Sequence, residues 1–208
     1  MDDGPRGRIL RATVTAIGRY GIAKTTMEDA AREAGVGRAT VYRHFPGGRE
    51  QLIRETITFE VARFFARLAD QVAGAPDFAT LLERGLRFAH RAVEEHEVLQ
   101  KVVDTEPERL LPQLTESAPI VHAVLRAYLE PLLAQERLAE GVAAPEAADW
   151  LARQVLSFIV GAGRWNLDDP EQVRTLVRRH LLAGVLADAG GAPSPADPEV
   201  AVAAAGPE

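Results

Sequence analysis

Residues Arg32–Pro46 read REAGVGRATVYRHFP, and the fold turns on how this stretch is divided. An alanine-rich segment ends at Gly35, a second runs from about Arg38 to His44, and Pro46-Gly47-Gly48 stops it. Two short helices packed across a tight turn need a small residue where they cross, and Ala31 supplies it. The turn needs a residue of positive φ, and Gly35 takes that conformation without a Cβ clash. Val36 plugs the core just past the turn, and Val41 and Phe45, four apart, face inward together. Arg38, Ala39, Thr40, Arg43 and His44 are left looking outward, a face without an acid. On spacing alone the stretch is either a packed helical hairpin with a solvated basic face or a device that sets this face in a negatively charged groove.

Charge separates the two readings. The 208-residue chain carries a net charge of −6, yet residues 1–49 hold nine Arg/Lys against five acids, a surplus of four. The remainder is therefore at −10. A basic head on an acidic body suits a polyanion partner met by the head alone. With no cysteine there is no disulfide framework, thiolate metal site or cysteine nucleophile, which fits a reducing, cytoplasmic home. The N-terminus MDDGPRGRIL lacks the apolar run of a signal peptide, and no stretch approaches the length of a membrane span. Nearly half the residues are apolar, enough for one or two sizeable cores.

Apolar residues recur at helical spacing almost throughout, and strand-like alternation is absent. The periodicity predicts a first helix over Arg8–Arg19 stopped by Gly21, then a cap pairing Thr26 with Asp29 or Thr25 with Glu28. After the quoted stretch it predicts helices at Arg49–Val72, Phe78–Glu95 and Val98–Asp104. Pro107 and Pro112 punctuate the next segment, before a helix at Pro119–Ala139 kinked by Pro131. Pro145 opens a helix reaching Gly161, and Asp169-Pro170-Glu171-Gln172 opens the last, ending near Asp188. Residues 189–208 are Ala, Gly, Pro, Ser and acids without a period, and read as a disordered tail. The expectation is an all-α chain of about nine helices: a three-helix helix-turn-helix head at 1–48, a helical regulatory and dimerisation body at 49–188, and the tail.

Residues Gly21–Leu52, GIAKTTMEDAAREAGVGRATVYRHFPGGREQL, together with the helix before them, resemble the TetR (tetracycline-repressor-like) transcriptional regulators. The Thr25-Thr26 pair, Ala31 to Ala34-Gly35-Val36, Thr40-Val41-Tyr42-x-x-Phe45 and Arg49 carry the likeness, over about a quarter of the chain. The body shares the family's length and helix count but no signature. The resemblance implies that Arg38–His44 lies in the major groove of double-stranded DNA. Arg38 would donate to guanine O6 and N7, Ala39 and the Thr40 methyl would touch a thymine methyl, and Arg43 would read a base or a phosphate. Thr40 has a hydroxyl for a base edge or a phosphate instead. Tyr42, His44, Thr25, Thr26 and Arg49 resemble phosphate-contacting positions, and Arg6 and Arg8 an arm for phosphate or minor groove. Two departures stand out. Gly37 replaces the common serine cap, and Ala30 a larger aliphatic residue.

The same likeness implies a homodimer on a palindromic operator, with Leu151, Val155, Phe158, Val173, Val177, Leu181 and Val185 of the last two helices as candidate interface. It also implies a small-molecule effector in the body. Phe88, Arg91, Leu99, Val103, Val121, Leu125, Tyr128, Phe158 and Trp165 are candidates to line its site, with Pro131, Gly161 and Gly163 as points of helix movement. The function expected is a sequence-specific repressor released by an apolar or amphipathic ligand. A regulator without a small-molecule ligand is the nearer rival and an all-α enzyme the remote one. No cofactor is implied. His90, Glu94 and Glu97 share a helical face but read as solvated residues, so no metal is expected. GAGRW is a lone Gly-x-Gly with no strand before it, and no nucleophile motif is present, so the chain reads as no enzyme.

Overall fold

The computed structural model describes residues 4–187. The helices are α1 (Pro5–Lys24), α2 (Met27–Ala34), α3 (Arg38–His44), α4 (Gly48–Val72) and α5 (Phe78–Glu94). They continue with α6 (Glu97–Thr105), α7 (Pro107–Leu133), α8 (Ala144–Val160) and α9 (Pro170–Thr175), which widens into a π-helical segment at Leu176–Leu181. The fold is all-α, and the only extended pairing among the described residues is a pair of isolated bridges that Leu186 makes with Leu138 and Ala183. No described helix is long and apolar enough to cross a membrane. Two compact units result, one from residues up to 74 with 84–124, the other from 75–83 with 125 onward.

In the first unit, the sequence's punctuation becomes geometry. Pro5 sits in the first turn of α1, where its missing N–H costs nothing. Gly21, at φ 82°, breaks α1 as expected, but one more turn follows to Lys24. Gly35, at φ 64°, ends α2 in the left-handed conformation, and the Val36 N–H donates to the Ala31 carbonyl at 3.0 Å. α3 begins at Gly37 with no side-chain cap. Ile9, Leu10, Met27, Ala30, Ala31, Val41, Phe45 and Leu52 form one buried cluster, with Ala34, Val36 and Phe59 packed on it. A second cluster joins Ile17 and Ile22 of α1 to Ile53 of α4, Val102 of α6 and Leu110 of α7. Packing thus runs on from the three-helix head into α4 and α6, and the expected boundary at Gly48 marks no gap.

Two helices differ from their expected limits. α7 starts at Pro107, twelve residues before the expected Pro119, and ends at Leu133 instead of Ala139. Pro107 occupies a first-turn position, and Pro112, Pro119 and Pro131 each forfeit one helical bond without ending the helix. Beyond Leu133 the chain leaves the helix, because the Ala139 N–H donates to the Val185 carbonyl (2.9 Å) and the Ala187 N–H to that of Arg137 (2.9 Å). The same pairing ends the last helical segment at Leu181, short of the expected Asp188. Its start is as expected: Asp169 caps α9 by accepting from the Glu171 N–H at 2.9 Å, ahead of Pro170. The expected tail at 189–208 lies outside the described residues.

In the second unit most of the candidate interface residues lie inside the chain. Leu151, Val155, Val173, Val177, Leu181 and Val185 are all buried within the single chain, and Phe158 is half-buried. The six buried side chains themselves offer little surface to a second copy, while Leu156, Phe158 and Ile159 of α8 are half-buried. Most of the large apolar residues that remain exposed lie on α7, at Leu111, Leu114, Ile120, Val124 and Tyr128, with Trp150 on α8 and Tyr20, Tyr42 and Val103 elsewhere.

Candidate nucleic-acid interface

The recognition face is built from the inside out. Val41 and Phe45 are fully buried, and this fixes the rotation of α3 about its axis. Arg38, Ala39, Tyr42 and Arg43 consequently project into solvent, while Thr40 and His44 sit half-buried at the flanks. Tyr42 is 48% exposed, so its ring belongs to the surface and not to the core. The Arg38 side chain is 72% exposed and lies 3.6 Å from Glu28 on the first turn of α2, a loose pair that water and salt weaken. Two further acids among the described residues of the head turn to its own arginines, Glu33 to Arg19 at 2.8 Å and Asp29 to Arg32 at 2.5 Å. The acid-free face of α3 therefore keeps its positive potential.

The start of α2 carries the predicted reciprocal cap, in the Thr26–Asp29 version. The Asp29 N–H donates to Thr26 Oγ1 (3.1 Å), and the Thr26 N–H donates to Asp29 Oδ2 (3.0 Å). The hydrogen bond from the Thr26 hydroxyl is the largest influence holding the Asp29 carboxyl below its ordinary value of 3.8, with Arg32 adding to it. A depressed carboxyl stabilises the fold fully above that ordinary value and loses the contribution as pH falls through its folded value. Thr26→Ala is expected to cost about 1 kcal/mol. In thermal melts the deficit should be constant near neutral pH and shrink at pH below about 4, where the wild type loses the same carboxylate.

Several phosphate candidates are placed differently. Thr25 is buried and its hydroxyl donates to the Gly21 carbonyl at 2.6 Å, so it closes the last turn of α1 and cannot reach a phosphate. Arg49 opens α4 as expected, but its guanidinium points inward. Nε donates to the Thr25 carbonyl at 2.8 Å, and one terminal nitrogen donates to the carbonyls of Ile22 and Ala23. Arg6 and Arg8 belong to the first two turns of α1 and form no separate arm. Arg6 pairs with Glu55 and lies over the Phe45 ring, 5.6 Å from its centroid. Glu55 also accepts from Gln51 Nε2 (2.8 Å), and Gln51 Oε1 from the Gly47 N–H (2.6 Å), a chain that ties α1 to the start of α4.

One connection was invisible in the sequence. The Ala23 N–H donates to Glu106 Oε2 at 2.8 Å, and Lys101 Nζ donates to the Gly18 carbonyl at 2.6 Å. Residues 83 positions apart meet here because α6 packs along α1, and no local spacing signals it. Gly21 is required twice over, by its positive φ and because a Cβ would run into the Glu106 carboxylate.

The effector candidates divide between the units, with Phe88, Arg91, Leu99, Val103 and Val121 in the first and Leu125, Tyr128, Phe158 and Trp165 in the second. Leu99 packs on the α1–α4–α6 cluster, Phe88 lies 5.8 Å from Phe64, and Trp165 meets His180 edge-on at 5.2 Å. Val103 and Tyr128 are exposed, and Leu125 is buried. Of the acids set aside as metal ligands, Glu94 lies 3.4 Å from His90, and Glu97 begins the next helix.

The sequence profile described as bacterial regulatory proteins, tetR family, matches residues 9–56, from the buried face of α1 into α4. An uncharacterized HTH-type transcriptional regulator of Mycobacterium bovis is 26% identical over 183 residues, 88% of this chain and 90% of that protein. One of Mycobacterium tuberculosis is 41% identical over 56 residues, 27% of this chain and 29% of its own length. Among solved structures, the TetR family repressor AlkX from Dietzia sp., implicated in biodegradation of n-alkanes, has a TM-score of 0.62 at 23% identity. That likeness covers 88% of this chain and 96% of AlkX, and at this identity it speaks for the fold alone. With the profile lying across the helix-turn-helix and HTH-type regulators matching along the length, these likenesses support a tetR-family DNA-binding transcriptional regulator, with the family match itself confined to residues 9–56.

Proposed function

We propose that this regulator is a repressor that binds a palindromic operator as a homodimer and leaves the DNA when a small apolar or amphipathic ligand occupies its body. The observation that carries the reading is the outward face of α3, where Arg38, Ala39, Tyr42 and Arg43 stand exposed with no acid among them. Arg38 reads guanine, Ala39 and Thr40 meet a thymine methyl, and Arg43 contacts a base or a phosphate. Tyr42, His44 and Thr26 hold the phosphate backbone, with Arg6 and Arg8 beside it. The site of action is the cytoplasm, where the operator lies. DNA binding is assigned to the head up to residue 48, and regulation and dimerisation to the residues that follow.

A single head makes few base contacts, and two related by a two-fold axis read half-sites about one helical turn apart. The second copy is proposed to cover the α7 stripe of Ile120, Val124 and Tyr128, spaced four apart on one helical face, of which Ile120 is 65% exposed. The effector is proposed to bind within the body. Selection of duplexes from random-sequence DNA, followed by a screen of small molecules for release, tests both halves. Recovery of no preferred sequence would overturn the operator, and binding that no small molecule disturbs would favour a regulator without one.

Arg38→Ala is expected to weaken the selected duplex by roughly 1–3 kcal/mol and to relax base preference at one position per half-site. Repeating the selection with the variant checks this. An unchanged motif would remove Arg38 as a reader.

A further inference from the structure

The guanidinium of Arg49 is spent on the protein itself. It starts α4, yet its donors reach the carbonyls of Ile22, Ala23 and Thr25, which are the acceptors left over at the C-terminal end of α1. A cation at this end of a helix also opposes the negative pole of its dipole. The same six-residue junction is tied by three further contacts. The Thr25 hydroxyl closes on the Gly21 carbonyl, Glu106 accepts from the Ala23 N–H, and the Thr26–Asp29 cap begins α2 directly after it. Arg49 thus bridges the start of α4 to the link that sets where α2, and α3 behind it, stand relative to α1.

We propose that Arg49 is a positioning residue for DNA binding, which supports affinity by fixing the α1–α2 junction and makes no phosphate contact of its own. A planar fork whose Nε and terminal nitrogen point the same way serves carbonyls on adjacent turns at once. A lysine ammonium carries the charge without that fork. The role rests on the head binding DNA through α3, and it departs from the phosphate contact that the family resemblance implies for this position.

Charge and geometry are separable by experiment. With the full chain and a duplex selected by the wild type, Arg49→Lys and Arg49→Gln are both expected to bind roughly tenfold more weakly, about the loss of one charge-assisted hydrogen bond. The slope of log affinity against log salt should match the wild type in both. A phosphate contact would instead leave Arg49→Lys near wild type and lower the slope for Arg49→Gln by about one. In a Thr26→Ala background the Arg49→Gln loss should shrink, since both changes loosen one junction. Full additivity, which a general loss of stability gives, would overturn the positioning role. If either variant fails to fold, the wild type answers alone. In 15N-labelled protein the Arg49 Nε–H resonance should be protected in the free chain and unmoved on adding the duplex. A large shift or lost protection in the complex overturns the proposal. A wild type that selects no sequence but shows a protected Arg49 Nε–H would count against α3 as the reader and still place the guanidinium on the carbonyls.

Discussion

Phe45→Ala is expected to lower the stability of the chain by about 3–5 kcal/mol, the range for removing a fully buried aromatic ring that its surroundings cannot replace. Phe45 is completely buried in the head, packed among Ile9, Leu10, Val41 and Leu52, and it closes α3 just before Pro46. The elements around it are short, seven residues in α3 and eight in α2, and neither persists without its apolar face. Against a total stability of some 5–15 kcal/mol, the loss leaves little margin. Arg6 also loses the ring it lies over. Denaturant melts should show the reduced midpoint, and duplex affinity should fall with the folded fraction. A midpoint within about 1 kcal/mol of wild type would mean that the head repacks around the cavity.

Val177→Glu is expected to be at least as costly and to unfold the second unit instead of separating a dimer. Val177 is completely buried within one chain. A carboxylate there must either stay charged in an apolar interior or take up a proton. Neutralising a glutamate of ordinary pKa ~4.3 at pH 7 costs about 4 kcal/mol by itself. The folded-state pKa is raised, so the penalty grows as pH rises above the ordinary value and eases as pH falls towards it. Ile120→Glu on the exposed stripe of α7 carries no such penalty and is expected to give a folded monomer. Sedimentation and circular dichroism on the pair separate the cases. A folded, monomeric Val177→Glu, or a dimeric Ile120→Glu, would move the interface back to α8 and α9.

The head was legible because its determinants are local. Gly35 needs its left-handed turn wherever it stands, Thr26 and Asp29 find each other across three residues, and Val41 and Phe45 share a face by helical spacing alone. The start of α9 was legible for the same reason, since Asp169 supplies a cap and Pro170 a pre-set φ. The ends of α7 and of the last helical segment were not. Ala139 and Ala187 give their N–H groups to carbonyls about fifty positions away, and no window of sequence reports that competition.

The sequence by itself determined an all-α chain, its helix-turn-helix, the outward face of α3 and the basic bias of the head, all properties of spacing and side-chain type. Only the tertiary structure decided which polar groups remain for a partner. Thr25 and Arg49 look like ligands for phosphate in the sequence, but each satisfies carbonyls at the end of α1. The apolar residues of α8 and α9 look like an interface, but the chain buries six of them itself. Unmet backbone acceptors and exposed apolar area are both costly, and a fold spends its own side chains on them before any are left for DNA or for a second copy.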